Sequence, residues 1–174
     1  MDERLETGIK ILESMDIDDF VTLENIFQSG QRDVLEITEV ENWNWLHKAL
    51  LGFDSDRPSA KVINYLINKG IAVNAQDCYG MTPLHYAMRA KNADAAIALL
   101  NAGADPNIPN KKGLIPLSMI GYIPDRLDVL ELMLKKGANV NYLVNKSETI
   151  LKSYKPKNNE DKLFPIYELM SKYE

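Results

Sequence analysis

The stretch DCYGMTPLHYAMRAKNADAAIALLNAGADPN, from Asp77 to Asn107, decides the fold because it contains the start and the stop signals of a helix pair. Thr82 can cap a helix through its hydroxyl, and Pro83 suits the first helical position, where a missing N–H is no loss. At the other end, Gly103 follows an apolar run and can take the left-handed conformation that ends a helix. The stretch therefore predicts two short helices between two turns.

The same signals recur along the chain every 33 or 34 residues. Each start signal combines a glycine, a proline and a leucine: Gly80, Pro83 and Leu84, then Gly113, Pro116 and Leu117, with Leu151 alone in the next copy. Each stop signal is a glycine that precedes an asparagine by four residues: Gly70 and Asn74, Gly103 and Asn107, Gly137 and Asn141. Helix pairs this short cannot bury their apolar faces alone, so we expect neighbouring copies to stack.

The stretch from Asp77 to Asn107 resembles an ankyrin repeat over its whole length. It has the D-x-x-G-x-T-P-L-H-x-A opening of that family and its L-L-x-x-G-A-D-x-N close. The resemblance implies an all-α fold, an ankyrin-repeat solenoid of stacked helix-turn-helix units with hairpin-like loops, capped at both ends.

The two neighbouring copies depart from the family pattern. In the copy from Asn110 to Asn141, Ile115 stands at the position of the capping Thr and Ser118 at that of the His, while Pro124 shortens or redirects the loop between the helices. In the earlier copy, from about Glu39 to Asn74, Leu46 and His47 are in register but Trp45 replaces the Pro, and we expect Trp45 in the core.

We expect one domain over residues 1–174, because a chain of 174 residues is too short for two ordinary domains. Its five units are a helical N-terminal cap at 1–38, a repeat with an insertion at 39–76, repeats at 77–109 and 110–143, and a C-terminal cap at 144–174. The insertion, Gly52 to Ala60, is either an added contact loop or an untouched surface loop. In the first cap, one helical stripe combines four apolar residues: Leu5, Ile9, Leu12 and Met15. A polar stretch from Lys155 to Asp161 interrupts the last unit.

Charge is unevenly distributed. The chain has a net charge of −5, but residues 1–60 hold 14 Asp and Glu against 5 Lys and Arg, a net −9. This argues against a nucleic-acid partner and favours a basic protein, although a solvated acidic face without a partner gives the same pattern. The single cysteine, Cys78, and the absence of a signal-like or membrane-length apolar run predict a cytoplasmic protein.

Candidate chemistry is sparse. The only two histidines, His47 and His85, stand in equivalent positions of adjacent units, where the family resemblance implies a structural role: bonds to backbone and to the Thr hydroxyl. Two His and one Cys without close spacing give no metal site, and the isolated glycines form no phosphate loop, so we expect no cofactor. An enzyme is the most distant interpretation, with His85, Asp77 and Cys78 as its one local cluster.

With catalytic, metal and cofactor sites unsupported, the surface is the feature most suited to a function, namely the binding of a partner. In the ankyrin family, hairpin tips and the exposed side of each first helix line a concave groove, which implies twelve candidate partner-binding residues here: Val40, Glu41, Trp43, Cys78, Tyr79, Met81, Arg89, Lys111, Lys112, Leu114, Tyr122 and Ile123. Large apolar and aromatic groups at such tips are typical of interface centres, although they also fit lateral packing between hairpins.

These residues favour a non-catalytic protein that binds a folded partner. Its most specific form, by resemblance to small acidic ankyrin proteins of bacteria, is an immunity protein that neutralises a toxin, for example a basic toxin domain. The alternatives are a secreted host-directed effector and a general adaptor. No nucleic-acid or membrane partner is expected, and a monomer is favoured.

Overall fold

The structure is a computed structural model, and it describes residues 2–52, 54–144, 147–156 and 162–174. Phe53 of the insertion and residues 157–161 of the expected polar stretch lie outside these ranges. The helices come in successive pairs, and their bounds are α1 Glu3–Asp16, α2 Phe20–Gln28, α3 Trp45–Ala49, α4 Ala60–Asn68, α5 Pro83–Arg89, α6 Ala93–Asn101, a 3-10 helix Pro116–Tyr122, α7 Leu127–Lys135, α8 Ile150–Ser153 and α9 Phe164–Ser171. One two-stranded antiparallel hairpin joins β1, Leu143–Val144, to β2, Glu148–Thr149.

The pairs stack in chain order. The second helices form one layer, in which α4 packs on α6, α6 on α7 and α7 on α9, while α3, α5 and the 3-10 helix follow one another in the other layer. One continuous apolar core runs between the layers, from Ile11 and Leu23 at one end through Leu99 to Ile166 and Met170 at the other. The expected all-α solenoid of stacked units is therefore confirmed.

Capping boxes begin α3 and α5, the first helices of the first two repeats, and the histidine of each box also connects its unit to the next. Thr82 N–H donates to His85 Nδ1 over 3.1 Å, and the His85 Nε2–H donates to the carbonyl of Leu114 over 2.9 Å. In the preceding unit Asn44 takes the place of the Thr, and His47 Nε2–H donates to the carbonyl of Met81 over 3.1 Å. The predicted structural role of both histidines is confirmed.

The buried histidines predict a pH-dependent stability. Burial lowers the pKa of both His47 and His85 below the ordinary value of 6.5, so the folded chain holds them neutral. The unfolded chain takes up protons first as the pH falls below about 6.5, so the free energy of unfolding decreases there. Urea titrations at pH 7.5, 6.5 and 5.5 measure this slope. A His85→Gln variant should show a shallower slope between pH 7.5 and 5.5, and an equal slope would contradict the assignment.

The copy without a Thr-His pair folds differently at its first helix. Residues 116–122 wind as a 3-10 helix with no side-chain cap, and Ser118 Oγ instead donates to the carbonyl of Ile115 over 2.6 Å. The link to the next unit comes from Tyr154, whose hydroxyl accepts from the N–H of Gly121 over 2.9 Å and donates to the carbonyl of Ser118 over 3.3 Å. A tyrosine from the following unit thus replaces the missing histidine bridge.

The recurring asparagines form a second set of bridges. Asn74 Nδ2 donates to the carbonyl of Gly103 over 3.1 Å, and Asn107 Nδ2 donates to that of Gly137 over 2.9 Å. The Oδ1 atoms of the same asparagines accept the N–H groups of Asp105 and Asn139, each over 2.8 Å. Each asparagine therefore satisfies backbone groups at the end of the next unit's second helix, which explains its fixed distance from the helix-ending glycine.

The insertion also bridges units. Arg57 Nη1 donates to the carbonyl of Asp16 over 2.7 Å, and Ser59 Oγ donates to Asp18 Oδ1 over 2.6 Å. On the other side, Asn92 Nδ2 donates to the carbonyl of Pro58 over 2.9 Å. The insertion therefore fastens the N-terminal cap to the second repeat, a third use beside the two that the sequence left open.

Candidate partner-binding surface

Three loops at residues 38–43, 77–81 and 110–114, here called fingers, form a continuous ridge. Each is closed on itself by backbone bonds, such as Asp77 N–H to Met81 O over 2.9 Å. Adjacent fingers are joined by Cys78 N–H to Glu41 O over 2.8 Å and by Lys111 N–H to Tyr79 O over 3.0 Å. The fingers therefore support one another through their backbones.

In the second and third fingers an acidic or amide side chain shapes the turn. Asp77 Oδ1 accepts the N–H groups of Tyr79 and Met81, both over 2.8 Å. At the equivalent place Asn110 Oδ1 accepts the N–H groups of Lys112 and Leu114, over 2.9 and 3.0 Å. At the tip of the second finger, Tyr79 is 63% exposed.

Trp43 is held by a polar network rather than standing free. Its indole N–H lies 3.1 Å from Tyr86 Oη and 3.3 Å from Asp77 Oδ2, and the Tyr86 hydroxyl donates to the same carboxylate oxygen over 2.6 Å. Arg89 stacks its guanidinium 4.4 Å from the centre of the Tyr86 ring. The network spans two units and fixes the orientation of the indole, so Trp43 serves as a rigid wall.

Hydrogen bonding sets the ionisation of this network. Burial alone would raise the pKa of Asp77, but the hydrogen bonds from Tyr86, Met81, Tyr79 and Trp43 outweigh burial and lower it. Burial, followed by the hydrogen bond to Asp77, raises the pKa of Tyr86 to about 12. The pair is therefore a carboxylate and a neutral phenol at neutral pH.

The twelve predicted partner-binding residues fall into three groups. Those with exposed side chains are Val40, Tyr79, Lys111, Lys112 and Tyr122. Those that are half-buried are Glu41, Trp43, Cys78, Met81, Arg89 and Leu114. Ile123 is only 7% exposed and belongs to the core, so its place among the surface residues is corrected. The cause is the 3-10 helix before it, which turns Ile123 inward and leaves Tyr122 outside.

The sequence did not indicate a groove at the N-terminal end. The apolar stripe of α1 is divided: Met15 is buried with Ile11, whereas Leu5 and Ile9 are 55% and 44% exposed. They line a cleft of about 300 Å³ between α1 and the first repeat, here called the N-terminal groove, whose apolar lining is Leu5, Ile9, Leu12, Trp43, Trp45 and Leu51. The spacing of Leu5, Ile9 and Leu12, four and three residues apart, places them on one helical stripe, but the spacing alone does not show that this stripe faces solvent.

Trp45 at the floor of this groove is in the core, as predicted. Its ring lies 3.9 Å from Lys48 Nζ and 5.0 Å from the guanidinium of Arg32, and its indole N–H donates to the carbonyl of Asp33 over 3.1 Å. Glu36 pairs with both Arg32 and Lys48. The ion pairs and the ring contacts together brace this wall of the groove.

The cluster considered for an enzyme does not form an open site. His85 is fully buried and both of its ring nitrogens are engaged in bonds within the scaffold. Among the described residues, no three His, Cys, Asp or Glu side chains are grouped to hold a metal ion. Nor is any helix in the described ranges long and apolar enough to cross a bilayer.

Comparison with known proteins agrees with this architecture. The profile of the family described as "Ankyrin repeats (3 copies)" matches residues 22–110 and 59–144. Ankyrin repeat protein FPV034 of Fowlpox virus (strain NVSL) is 27% identical over 144 residues, which cover 82% of the chain and 32% of that protein. The neurogenic locus Notch protein of Drosophila melanogaster is 36% identical over 100 residues, 56% of the chain and 4% of that protein.

A third relative is the transient receptor potential cation channel subfamily A member 1 homolog of Caenorhabditis elegans, 44% identical over 69 residues, 39% of the chain and 6% of that protein. The chain thus spans less than a third of the length of each of these three proteins. They are viral and animal proteins and give no support to a bacterial immunity role. The matched repeats cover more than half of the sequence and coincide with the stacked, histidine-bridged helix pairs, so the chain belongs to the ankyrin-repeat family.

Proposed function

We propose that the chain is a non-catalytic protein-binding module that holds a folded partner against its fingers and first helices. The observation that carries the proposal is the exposure of two tyrosines, Tyr79 at 63% and Tyr122 at 53%, on elements that the scaffold holds rigid. Tyrosine is enriched at the energetic centres of interfaces. Because the fingers are already joined by backbone bonds, little conformational freedom is lost when a partner docks.

Crosslinking from the finger ridge tests the proposal. A photoreactive residue at position 79 should capture one protein from the source lysate, whereas the same group at position 21 should not. Val21 is a matched control because it is 73% exposed on α2. Equal capture from both positions would contradict docking on the fingers.

The captured partner then allows an affinity measurement. Replacing Tyr79 and Tyr122 together by Ala should weaken binding by about 2 kcal/mol, or about thirtyfold in Kd. Both side chains are exposed, so the melting temperature should stay within about 2 °C of the wild type. Val21→Ala should bind as the wild type does, and calorimetry that shows unchanged affinity for the double variant would remove these tyrosines from the interface.

Toxin neutralisation is a more specific form of the same proposal. The net charge of −9 over residues 1–60 supports it, since a basic partner would be steered to this end of the array. Its test is the identity of the captured protein: a basic toxin whose activity falls on binding would support it. A captured acidic protein, or a basic one without toxicity, would leave the adaptor role and exclude immunity.

A further inference from the structure

The N-terminal groove is a second apolar surface, separate from the exposed tyrosines. One side of it is α1, which turns Leu5 and Ile9 toward solvent, and the other side is the first repeat with Trp43 and Leu51. Apolar residues that line a cleft together, rather than lying scattered, mark a surface that another molecule covers.

The walls of the groove are preformed. Arg32 Nη1 donates to the carbonyl of Arg4 over 2.9 Å, which fixes the start of α1 against the loop that follows α2. Trp43 is oriented by its bonds to Asp77 and Tyr86, as described above. A ligand that enters the groove therefore meets the ring of Trp43 in a fixed orientation, and this limits the entropy lost on binding.

The acidic charge around the groove favours a ligand with basic residues at its edges. The two segments that form it, residues 2–16 and 32–51, carry nine Asp and Glu against four Lys and Arg, a net −5. Two of the four bases, Arg32 and Lys48, have side chains only 9% and 13% exposed, and both pair with Glu36. The lining itself includes exposed Arg4, which lies 3.7 Å from Glu36, and half-buried Glu41, so the excess of acidic charge surrounds the groove rather than lining it.

Acidic residues flank the apolar stripe of α1 directly. Asp2 lies three residues before Leu5, and Glu13 lies four residues after Ile9, so both stand beside the stripe on the helix surface. Both are exposed, and neither takes part in any ion pair found among the described residues. They are positioned to meet cations at the edge of a ligand.

The shape of the groove favours a helical ligand. Leu5, Ile9 and Leu12 span about 10 Å along α1, or two helical turns, and a stripe of this spacing packs against the ridge of a second helix. An extended strand would need unpaired backbone groups, but the neighbouring finger closes on itself through Thr38 N–H to Trp43 O over 3.0 Å. A second copy of this chain is disfavoured because it would bring one net −5 surface against another.

We propose that the N-terminal groove binds an amphipathic helix of the partner protein, whose apolar ridge is flanked by Lys and Arg. This inference rests on the proposed function and names the chemistry of the segment that the partner presents. The helix lays its apolar side chains between α1 and Trp43, and its basic flank faces Asp2 and Glu13.

A displayed library of 14-residue helical peptides tests the inference. The library has large apolar residues at positions i, i+4 and i+7 and random residues at the flanks. The groove should enrich peptides with Lys and Arg at the flanks, and their binding should change the fluorescence of the two tryptophans, which both line the groove. Glu-flanked versions of the same peptides should bind at least about tenfold more weakly.

Neutral substitutions separate the groove from other surfaces. Leu5→Gln with Ile9→Gln should weaken the selected peptides by about tenfold or more, while Val21→Gln on α2 should not change their binding. A library without basic enrichment, or peptides that bind the double variant as well as the wild type, would overturn the inference. So would a dimer in sedimentation that the double variant abolishes, because a second copy would then fill the groove.

The outcome is distinguishable from that of the proposed function. A partner captured from position 79 that binds the Leu5→Gln, Ile9→Gln variant with full affinity would leave the proposed function intact and exclude the groove. If the partner binds weakly both to the Leu5→Gln, Ile9→Gln variant and to the variant with Tyr79 and Tyr122 replaced by Ala, the proposed function and the groove are both supported.

Discussion

Replacing Gly80 by Ala is expected to destabilise the protein by about 3 kcal/mol, an effect that combines two independent costs. Gly80 has a φ of +73°, where a β-carbon is strained. A β-carbon there would also lie 2.9 Å from the backbone nitrogen of Lys111 and 3.2 Å from Cα of Asn110. Because both atoms belong to the backbone of the next finger, the clash is relieved only by separating the fingers.

Gly103 provides the matched control. It has a φ of +92°, but a β-carbon there would meet no atom within 4 Å. Gly103→Ala should therefore cost only the conformational strain, about 1 kcal/mol. The difference between the two variants, measured by urea unfolding, is the cost of the clash with the next finger.

The Gly80 substitution should also loosen the coupling between units. In a stacked array each unit is stabilised by its neighbours, so parted fingers weaken the interface between two repeats. Both tryptophans, Trp43 and Trp45, lie on the N-terminal side of that interface. Fluorescence and circular dichroism should give separate transitions for Gly80→Ala and a coincident one for Gly103→Ala. Equal destabilisation in both variants would contradict the role of the finger contact.

The repeated frame could be predicted because its signals are local. A glycine that must take positive φ, a capping residue and a histidine three positions later each act within one or two turns of chain, so Thr82, His85 and Gly103 identify the unit without knowledge of its neighbours. The same reasoning extends to Asn44 and His47 once the period is known. Local chemistry therefore determined the stacking and the histidine bridges.

The side chains at the edge of the array could not be predicted in the same way. Whether Ile123 faces the core depends on the pitch of the helix before it, and a 3-10 helix rotates each residue by about 120° rather than 100°. Loss of the Thr-His pair at Ile115 and Ser118 is the signal for that change, but the sequence does not say which winding replaces the α-helix. The direction of Leu5 and Ile9 likewise depends on how α1 docks against α2 and α3.

Trp43 illustrates a long-range contact that spacing along one unit does not reveal. Its indole bonds to Asp77, 34 residues away, and to Tyr86, 43 residues away. From the sequence alone, an exposed aromatic residue of a finger cannot be distinguished from one whose ring is held by hydrogen bonds to the next unit. For this reason the binding test uses Tyr79 and Tyr122 rather than Trp43, whose loss would leave Asp77 and Tyr86 without one of their hydrogen-bond partners.

Replacing Asp77 by Ala is expected to cost about 3 kcal/mol, because it removes the acceptor for four donors at once. The backbone N–H groups of Tyr79 and Met81, the hydroxyl of Tyr86 and the indole N–H of Trp43 all lie within 3.3 Å of its carboxylate. Asp77 is only 5% exposed, so water cannot readily replace these bonds.

Asp77→Asn separates two roles of Asp77: accepting the backbone N–H groups of the turn, and accepting the side-chain donors of Tyr86 and Trp43. In the next finger Asn110 holds the equivalent backbone N–H groups through its Oδ1, so an amide suffices for the turn. The amide nitrogen would face Tyr86 and Trp43, which are donors, so we expect a loss of about 1 kcal/mol. If Asp77→Asn destabilised the protein as much as Asp77→Ala, an amide at position 77 would not hold the turn in the way that Asn110 does in the next finger.

The free energy of unfolding at acidic pH provides a second test of the role of Asp77. Its pKa is lowered in the folded state, so its contribution is present above about 3.8, the ordinary Asp value, and is lost as the pH falls through the lowered value. Between pH 5 and pH 2 the wild type should therefore lose more stability than Asp77→Asn, which has no carboxylate to protonate. Burial alone would raise the pKa of Asp77, so parallel curves for the two proteins would mean that the hydrogen bonds from Tyr86, Met81, Tyr79 and Trp43 do not outweigh burial. Tyr86→Phe, which removes one of those donors, should give a slope between the two.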